Sequence, residues 1–258
     1  MSFWEIFWAY KTILAEHGIE GFSIFSLTHI VWLVILTASI IVYGLTYKRG
    51  DEKRRDNLRK AIAVFLILFE ILKLSVIALT DAPVKNFVPL EICSFAEYAI
   101  LFDALWPKNR FFKPLLFFEF YPAAAIALLL PTVTAYPGYN FYAIHQFLFH
   151  GAIVAYIAAR CAAGDINRRY SGLWLTVLTI VITLFPVYCL DKTFGTNHMF
   201  LTYHSNNPAL KMIWNLTGGE GGIPYVIGLA GFVVLLMHIW YAGWLIADLI
   251  SKKKENRG

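Results

Sequence analysis

Long apolar runs separated by short charged connections set the pattern of this chain. A helix needs about 20 mainly apolar residues to cross the hydrocarbon layer. Seven such runs are predicted, at 23–47, 59–80, 88–106, 112–130, 141–163, 171–190 and 223–250. Strands are disfavoured, because no segment of about ten residues repeats an apolar/polar alternation and an open sheet edge cannot persist among lipid tails. Ahead of the first run, residues 2–16 interleave Phe3, Trp4, Phe7, Trp8, Tyr10, Ile13 and Leu14 with Glu5, Lys11 and Glu16. That mixture suits a helix lying in the membrane interface. Between the sixth and seventh runs, residues 191–222 form a long, glycine-bearing connection. It is expected to fold over the outer mouth, with a short helix near 207–216, since connections of that length in a small bundle are usually functional.

The expected fold class is therefore an all-α membrane protein, a seven-transmembrane-helix bundle with an N-terminal interfacial helix and a long outer loop between helices 6 and 7. Its parts are an interfacial segment at 1–22, a transmembrane domain at 23–250 and a basic tail at 251–258, read as one bundle.

Composition agrees with the pattern. Of 258 residues, 59% are hydrophobic and only 15% charged, where a soluble domain carries roughly a quarter charged. The net charge of +5 points to no nucleic acid, because the basic residues cluster at the ends of apolar runs. Seventeen of the 22 Lys and Arg fall in the first, third and fifth connections and the tail. By the positive-inside rule the N-terminus lies outside and the C-terminus in the cytoplasm, in a multi-pass protein of the plasma membrane. Cys93, Cys161 and Cys189 have neither CxxC nor metal-ligand spacing.

The polar residues inside the runs change the picture from anchor to site, since ionisable groups persist in a bilayer only where they face partners or a wet cavity. Cys93, His29, His145, His150, Glu70, Lys73 and Glu119 all project to the outer half, and Asn197-His198 lies on the same side. Glu97 is four residues beyond Cys93 and shares its helix face, whereas Glu91 is about 160° away. Each has a bland alternative: Glu70 and Lys73 can neutralise each other, His29 can satisfy a backbone carbonyl, and Cys93 can be a small core residue. A thiol with an imidazole at matching depth can instead act as a nucleophile with a base. His145 and His150 are about 140° apart on their helix, so only one of them is expected to face Cys93. A metal site would draw on His29, His145, His150, Glu91, Glu97 and Glu119, but no HExxH pair supports it, and no GxSxG elbow is present.

At these residues the chain resembles the YwaF-like integral membrane family, the transmembrane protein 164 acyltransferase family. Phe25-Ser26-Leu27-Thr28-His29 resembles the family's FS-x-x-H opening, and Val88-Pro89-Leu90-Glu91-Ile92-Cys93-Ser94 its L-P-L-H-L-C-S motif. Ala127-Leu128-Leu129-Leu130-Pro131 with His145 and His150, and Gly195-Thr196-Asn197-His198-Met199-Phe200-Leu201 with Ile223-Pro224-Tyr225, are similar to later family segments in the same order. Glu91 stands where the family usually has His, and His198 where it usually has Tyr. The resemblance implies a lipid acyltransferase or transacylase that moves an acyl chain between a phospholipid and a lysophospholipid through a cysteine thioester. Membrane lipids would be the substrates, with no cofactor and no metal. Carried over, Cys93 is the nucleophile, His150 or His145 the general base and acid, and Asn197 a polar contact near the acyl carbonyl or headgroup. Glu91, Glu97, His29, His198, Glu119, Glu70 and Lys73 are supporting candidates. The alternative is a secondary transporter or lipid-binding protein using Glu70, Lys73, Glu97 and Glu119 as a relay. A disulfide between Cys93 and Cys189 would make the thiol structural.

Overall fold

The structure, a computed structural model, describes residues 1–80, 82–205 and 207–255; the last three residues of the basic tail expected at 251–258 lie outside the described residues. The described residues are helical and contain no strand. Two compact units divide the chain, Met1–Asn167 and Arg168–Gly258.

In the first unit, α1 (Phe3–Trp8) and α2 (Lys11–Glu16) precede the long helices α3 (Leu27–Arg49) and α4 (Glu52–Ala78). A 3-10 turn (Val84–Phe87) leads to α5 (Ile92–Leu105). Next come α6 (Phe112–Leu115), a π-helical turn (Leu116–Phe120), α7 (Tyr121–Leu129) and α8 (Phe141–Ala162). In the second unit, α9 (Ser171–Phe194) and α11 (Gly222–Glu255) flank a connection that holds a 3-10 turn (His198–Phe200) and α10 (Pro208–Leu216), the short helix expected near 207–216.

Among the described residues six helices are long and apolar enough to cross a membrane: α3, α4, the composite Phe112–Leu129, α8, α9 and α11. The third expected crossing, 88–106, is not among them. Its helix has only 14 residues, about 21 Å at 1.5 Å per residue, short of the roughly 30 Å hydrocarbon layer. Pro89 is the cause. Proline drives the residue before it to extended backbone, and Val88 sits at φ −55°, ψ 133°. Glu91 is also extended, at φ −78°, ψ 155°, so helix begins only at Ile92. Proline likewise explains the π turn. Pro122 has no N–H to give Phe118, and its ring would meet that carbonyl in a regular helix; widening the preceding turn relieves both problems.

The centre of the first unit is α8, with 72% of its most apolar stretch buried against 11% for α3. Gly151 lets α3 approach, since a Cβ there would lie 2.7 Å from the Leu36 side chain. Trp32 of α3 stacks on Phe147 at 5.1 Å and donates its indole N–H to the Gly138 carbonyl at 3.1 Å. His29, fully buried, accepts the Phe25 N–H at Nδ1 and donates from Nε2 to the Leu128 carbonyl, each at 2.9 Å. It thereby joins the start of α3 to the end of α7 and holds Phe25 at φ 59°.

The N-terminal segment packs onto the start of α8. A capping box between Ser2 and Glu5 starts α1. Asn140, buried at the N-cap of α8, donates its side-chain amide to the carbonyls of Ile6 and Ala9 at 2.7 and 3.0 Å and accepts the Tyr142 N–H. Phe3 stacks on Tyr139, Trp8 lies on Phe141, and Tyr10 meets Phe87, Tyr136 and Tyr142 edge-on.

Where α8 ends, a buried charge network joins four helices. Asp103 of α5 accepts from Tyr156 Oη at 2.6 Å and pairs with Arg160, both of α8. Arg160 also reaches Asp165, which accepts from Tyr47 of α3 at 2.6 Å. Arg59 of α4 donates to the Tyr47 hydroxyl and pairs with Glu52 and Asp56.

Two outcomes follow for detergent-purified protein. Asn140→Ala removes a cap and two hydrogen bonds to buried carbonyls, so it should cost about 2–3 kcal/mol. The observable is a lower melting temperature together with faster proteolysis within residues 1–20. Arg160→Met, which strands the Asp103 carboxylate, should destabilise by about 3–5 kcal/mol. The double variant Asp103→Leu/Arg160→Met should melt closer to wild type than Arg160→Met does.

Candidate functional site

The late start of α5 decides where Cys93 sits. Sequence spacing puts the thiol about five residues inside a long span; the structure puts it at the second position of a helix that opens at Ile92. The Ser94 and Phe95 N–H groups bond back to the Glu91 carbonyl at 2.9 and 3.2 Å. The N–H groups ahead of them belong to the first turn, which has no intrahelical acceptor to offer. The helix dipole concentrates partial positive charge at this end. Cys93 is a half-buried thiol, and neither it nor Cys189 is in a disulfide, so the two are not joined.

From α8, His150 brings its Nε2 to 2.9 Å from the Cys93 sulfur. Its Nδ1 lies 2.7 Å from the Gln146 carbonyl, one turn earlier on the same helix. A carbonyl can only accept, so Nδ1 carries the proton and donates it there. The lone pair of Nε2 is then left to accept the thiol hydrogen. The main chain of α8 thus selects the tautomer that leaves His150 Nε2 as the acceptor facing Cys93. No side-chain pattern announces this contact, because the group that orients the ring is a backbone carbonyl.

His145 points elsewhere, as five residues of helical rotation require. Its ring is sandwiched between Phe69 and Phe149 at centroid distances of 4.6 and 5.1 Å. Its Nε2 faces Glu70 Oε2 at 3.6 Å. The other oxygen of Glu70 pairs with Lys73 Nζ at 2.5 Å. Glu70 is buried and Lys73 is 17% exposed at its side chain.

The remaining sequence candidates fall into distinct places. Glu97 is buried one turn along α5 from Cys93, with its Oε2 unbonded among the described residues and Glu70 and Lys73 as the charges acting on it. Glu91 is the exposed N-cap residue of α5 and places no side-chain cap on the helix. Glu119 lies half-buried in the π turn. His29 has both ring nitrogens committed to the backbone bonds described above.

Asn197 and His198 belong to the second unit. The Asn197 amide is engaged by its own loop: it accepts the N–H groups of Thr202 and Tyr203 and donates to the Tyr203 carbonyl and Ser205 Oγ. His198 is buried with its Nδ1 on Asp191 Oδ1 at 2.6 Å, and Thr196 Oγ1 donates to the same oxygen. Asp191 was not singled out by sequence. Its only signal is a carboxylate near the end of an apolar run.

No curated protein and no solved structure matches the chain. Residues 24–244 match the TMEM164 family, a stretch that runs from the start of α3 into α11 and contains Cys93, His145 and His150. With its six long apolar helices, this is a multi-pass membrane protein, and it belongs to the TMEM164 family.

Proposed function

We propose that this protein is a lipid acyltransferase that carries the acyl chain on Cys93, with His150 as general base and acid. The observation that supports it is the 2.9 Å approach of His150 Nε2 to the sulfur, with the ring tautomer set by the Gln146 carbonyl. That is the nucleophile, base and orienting group of nucleophilic acyl transfer.

The steps balance as follows. His150 Nε2 takes the thiol proton while the sulfur bonds to the ester carbonyl carbon of a phospholipid. The tetrahedral intermediate collapses, the ester C–O bond breaks, and the lysophospholipid oxygen leaves with the proton from His150. A second lysophospholipid hydroxyl then gives its proton to His150 and attacks the thioester carbonyl; the C–S bond breaks and the sulfur takes that proton back, which restores the thiol. Negative charge on the carbonyl oxygen during both steps is favoured by the positive end of α5 beside Cys93.

Mass spectrometry of protein reconstituted with phospholipid should find a hydroxylamine-sensitive acyl adduct on Cys93. Cys93→Ala should abolish adduct and transfer together, and His150→Ala should lower transfer by about 100-fold or more. Full transfer by Cys93→Ala would overturn the assignment, and a wild-type protein that binds lipid without an adduct would favour the carrier alternative.

The orientation is part of the same proposal: N-terminus outside, C-terminus cytoplasmic, in the plasma membrane. It is supported by the uneven distribution of Lys and Arg among the connections. Membrane-impermeant labelling of single cysteines introduced at Ser2 and Asn256 in intact cells should modify the first and spare the second.

A further inference from the structure

The hairpin between α3 and α4 takes no part in the chemistry at Cys93. From Lys48 to Lys60 it carries seven Lys and Arg against three acids. We propose that a hollow at this hairpin is a seat for one anionic phospholipid. Arg49, Lys53 and Arg54 would hold the headgroup phosphate, and the acyl chains would lie along α3 and α4. The inference does not depend on the acyl-transfer reading.

The cations of the hairpin divide into two sets. Arg59 pairs with Glu52 and Asp56, Lys60 pairs with Asp56, and Arg55 donates to the Tyr47 and Lys48 carbonyls. Those three are taken up by the fold itself. Arg49, Lys53 and Arg54 are exposed, and their side chains make no ion pair among the described residues. With Gly50, Asp51 and Asn57 they line a hollow of about 550 Å³, a size usual for small-molecule sites. Asp51, the one carboxylate among these six, is committed to the N-cap of α4, where it accepts the Arg54 N–H at 2.8 Å. Three cations against one carboxylate leave the hollow positive. A Cβ at Gly50 would stand 3.2 Å from Cβ and Cδ of Arg54, so glycine there gives the Arg54 stem room to lie over the turn.

Stability does not explain two of these cations. Arg49 ends α3, where positive charge complements the helix dipole, but Lys53 and Arg54 stand in the first turn of α4, where it is disfavoured. An anion in the hollow removes that conflict. Membrane orientation calls for positive charge on this side, but not for charges gathered on one concave wall. The apolar surface running away from the hollow favours a lipid over a free phosphate. Along α3, Leu45, Val42, Ala38 and Ile35 follow Arg49 at intervals of three and four residues, all exposed. Along α4, Ala61, Val64 and Leu68 follow Arg54 and Asn57 in the same way, all exposed. Such spacing keeps residues on one helix face, and both helices are long and apolar enough to cross a membrane. An apolar stripe thus leads from the hollow along each helix, where two acyl chains can lie. On the proposed orientation the hairpin faces the cytoplasmic leaflet, which carries anionic lipid.

The test titrates full-length protein in neutral detergent with phosphatidylglycerol or phosphatidylcholine of identical chains, and follows the first bound lipid by native mass spectrometry. Wild type should bind phosphatidylglycerol about 10-fold or more tighter than phosphatidylcholine. Lys53→Gln/Arg54→Gln should weaken phosphatidylglycerol by about 25-fold, at about 5-fold per cation, and leave phosphatidylcholine within about 2-fold. Lys108→Gln/Arg110→Gln removes the same charge from the connection between α5 and α6, and should weaken phosphatidylglycerol by less than about 3-fold. Should Lys53→Gln/Arg54→Gln melt below wild type, Arg49→Gln alone takes its place, with a loss of about 5-fold. Millimolar sn-glycerol 3-phosphate, which offers the phosphate without tails, should leave the lipid bound. Equal affinity of wild type for the two lipids, or equal loss in the two double variants, overturns the inference. Displacement by glycerol phosphate overturns it in favour of a soluble phosphate ligand.

Discussion

A polar side chain placed among lipid tails has to find its partners inside the protein, because hydrocarbon offers none. In the first unit that constraint is met mainly on one helix. α8 carries His145 and His150 towards its start and Tyr156 and Arg160 towards its end, and almost every turn of it is buried. Its neighbours supply the complements: Glu70 from α4, and Cys93 and Asp103 from α5. Neither set of partners would remain in place if α8 turned by one residue. The packing of Gly151 on Leu36 and of Phe147 on Trp32 fixes that rotation.

The two polar layers differ in how completely they are used. At the end of α8, Asp103, Tyr156, Arg160, Asp165, Tyr47 and Arg59 bind one another, and the result ties α3, α4, α5 and α8 together. Two turns or so earlier, a distance of about 9–10 Å along the axis, the groups include a thiol against a neutral ring nitrogen. That contact shares one proton between sulfur and nitrogen, where the other layer joins opposite charges. Structure and chemistry thus occupy successive levels of a single helix, with Ile153 and Ile157, both buried, contributing to the apolar matter between them.

Much of this is legible in the sequence, and the limits have physical causes. The helix at 141–163 reads directly because a bilayer demands length and apolarity. Rotation about that helix is legible too: the five-residue spacing of His145 and His150 implies that they face different partners. The partner of each is not, because α4 and α5 meet α8 through packing that no single run encodes. The start of α5 is misread for a different reason. Apolar content continues through Val88 and Leu90, and it outweighs Pro89 when spans are placed by composition. Proline at that position is the signal that the helix must wait. The hydrogen bonds of His29 are consistent with the plain expectation that a buried imidazole satisfies a carbonyl, and the loop bonds of Asn197 have no counterpart in spacing at all.

The delay of α5 by four residues matters for chemistry more than for span length. A thiol in mid-helix has the preceding turn of main chain beneath it and no free N–H groups nearby. At the second helical position there is no preceding turn, so the sulfur can be approached, and the unpaired N–H groups stand beside it. Glu91 is part of this arrangement. It is the extended residue that ends the break, and a carboxylate is favoured at the positive end of a helix. The Nε2–sulfur contact holds a single shared proton in a buried setting where separated charges are costly. On the acyl-transfer reading, proton transfer to His150 then accompanies attack on the ester rather than preceding it. The thiol–imidazole contact therefore depends on where α5 begins and how α8 is rotated, and both are fixed by residues that take no part in the reaction.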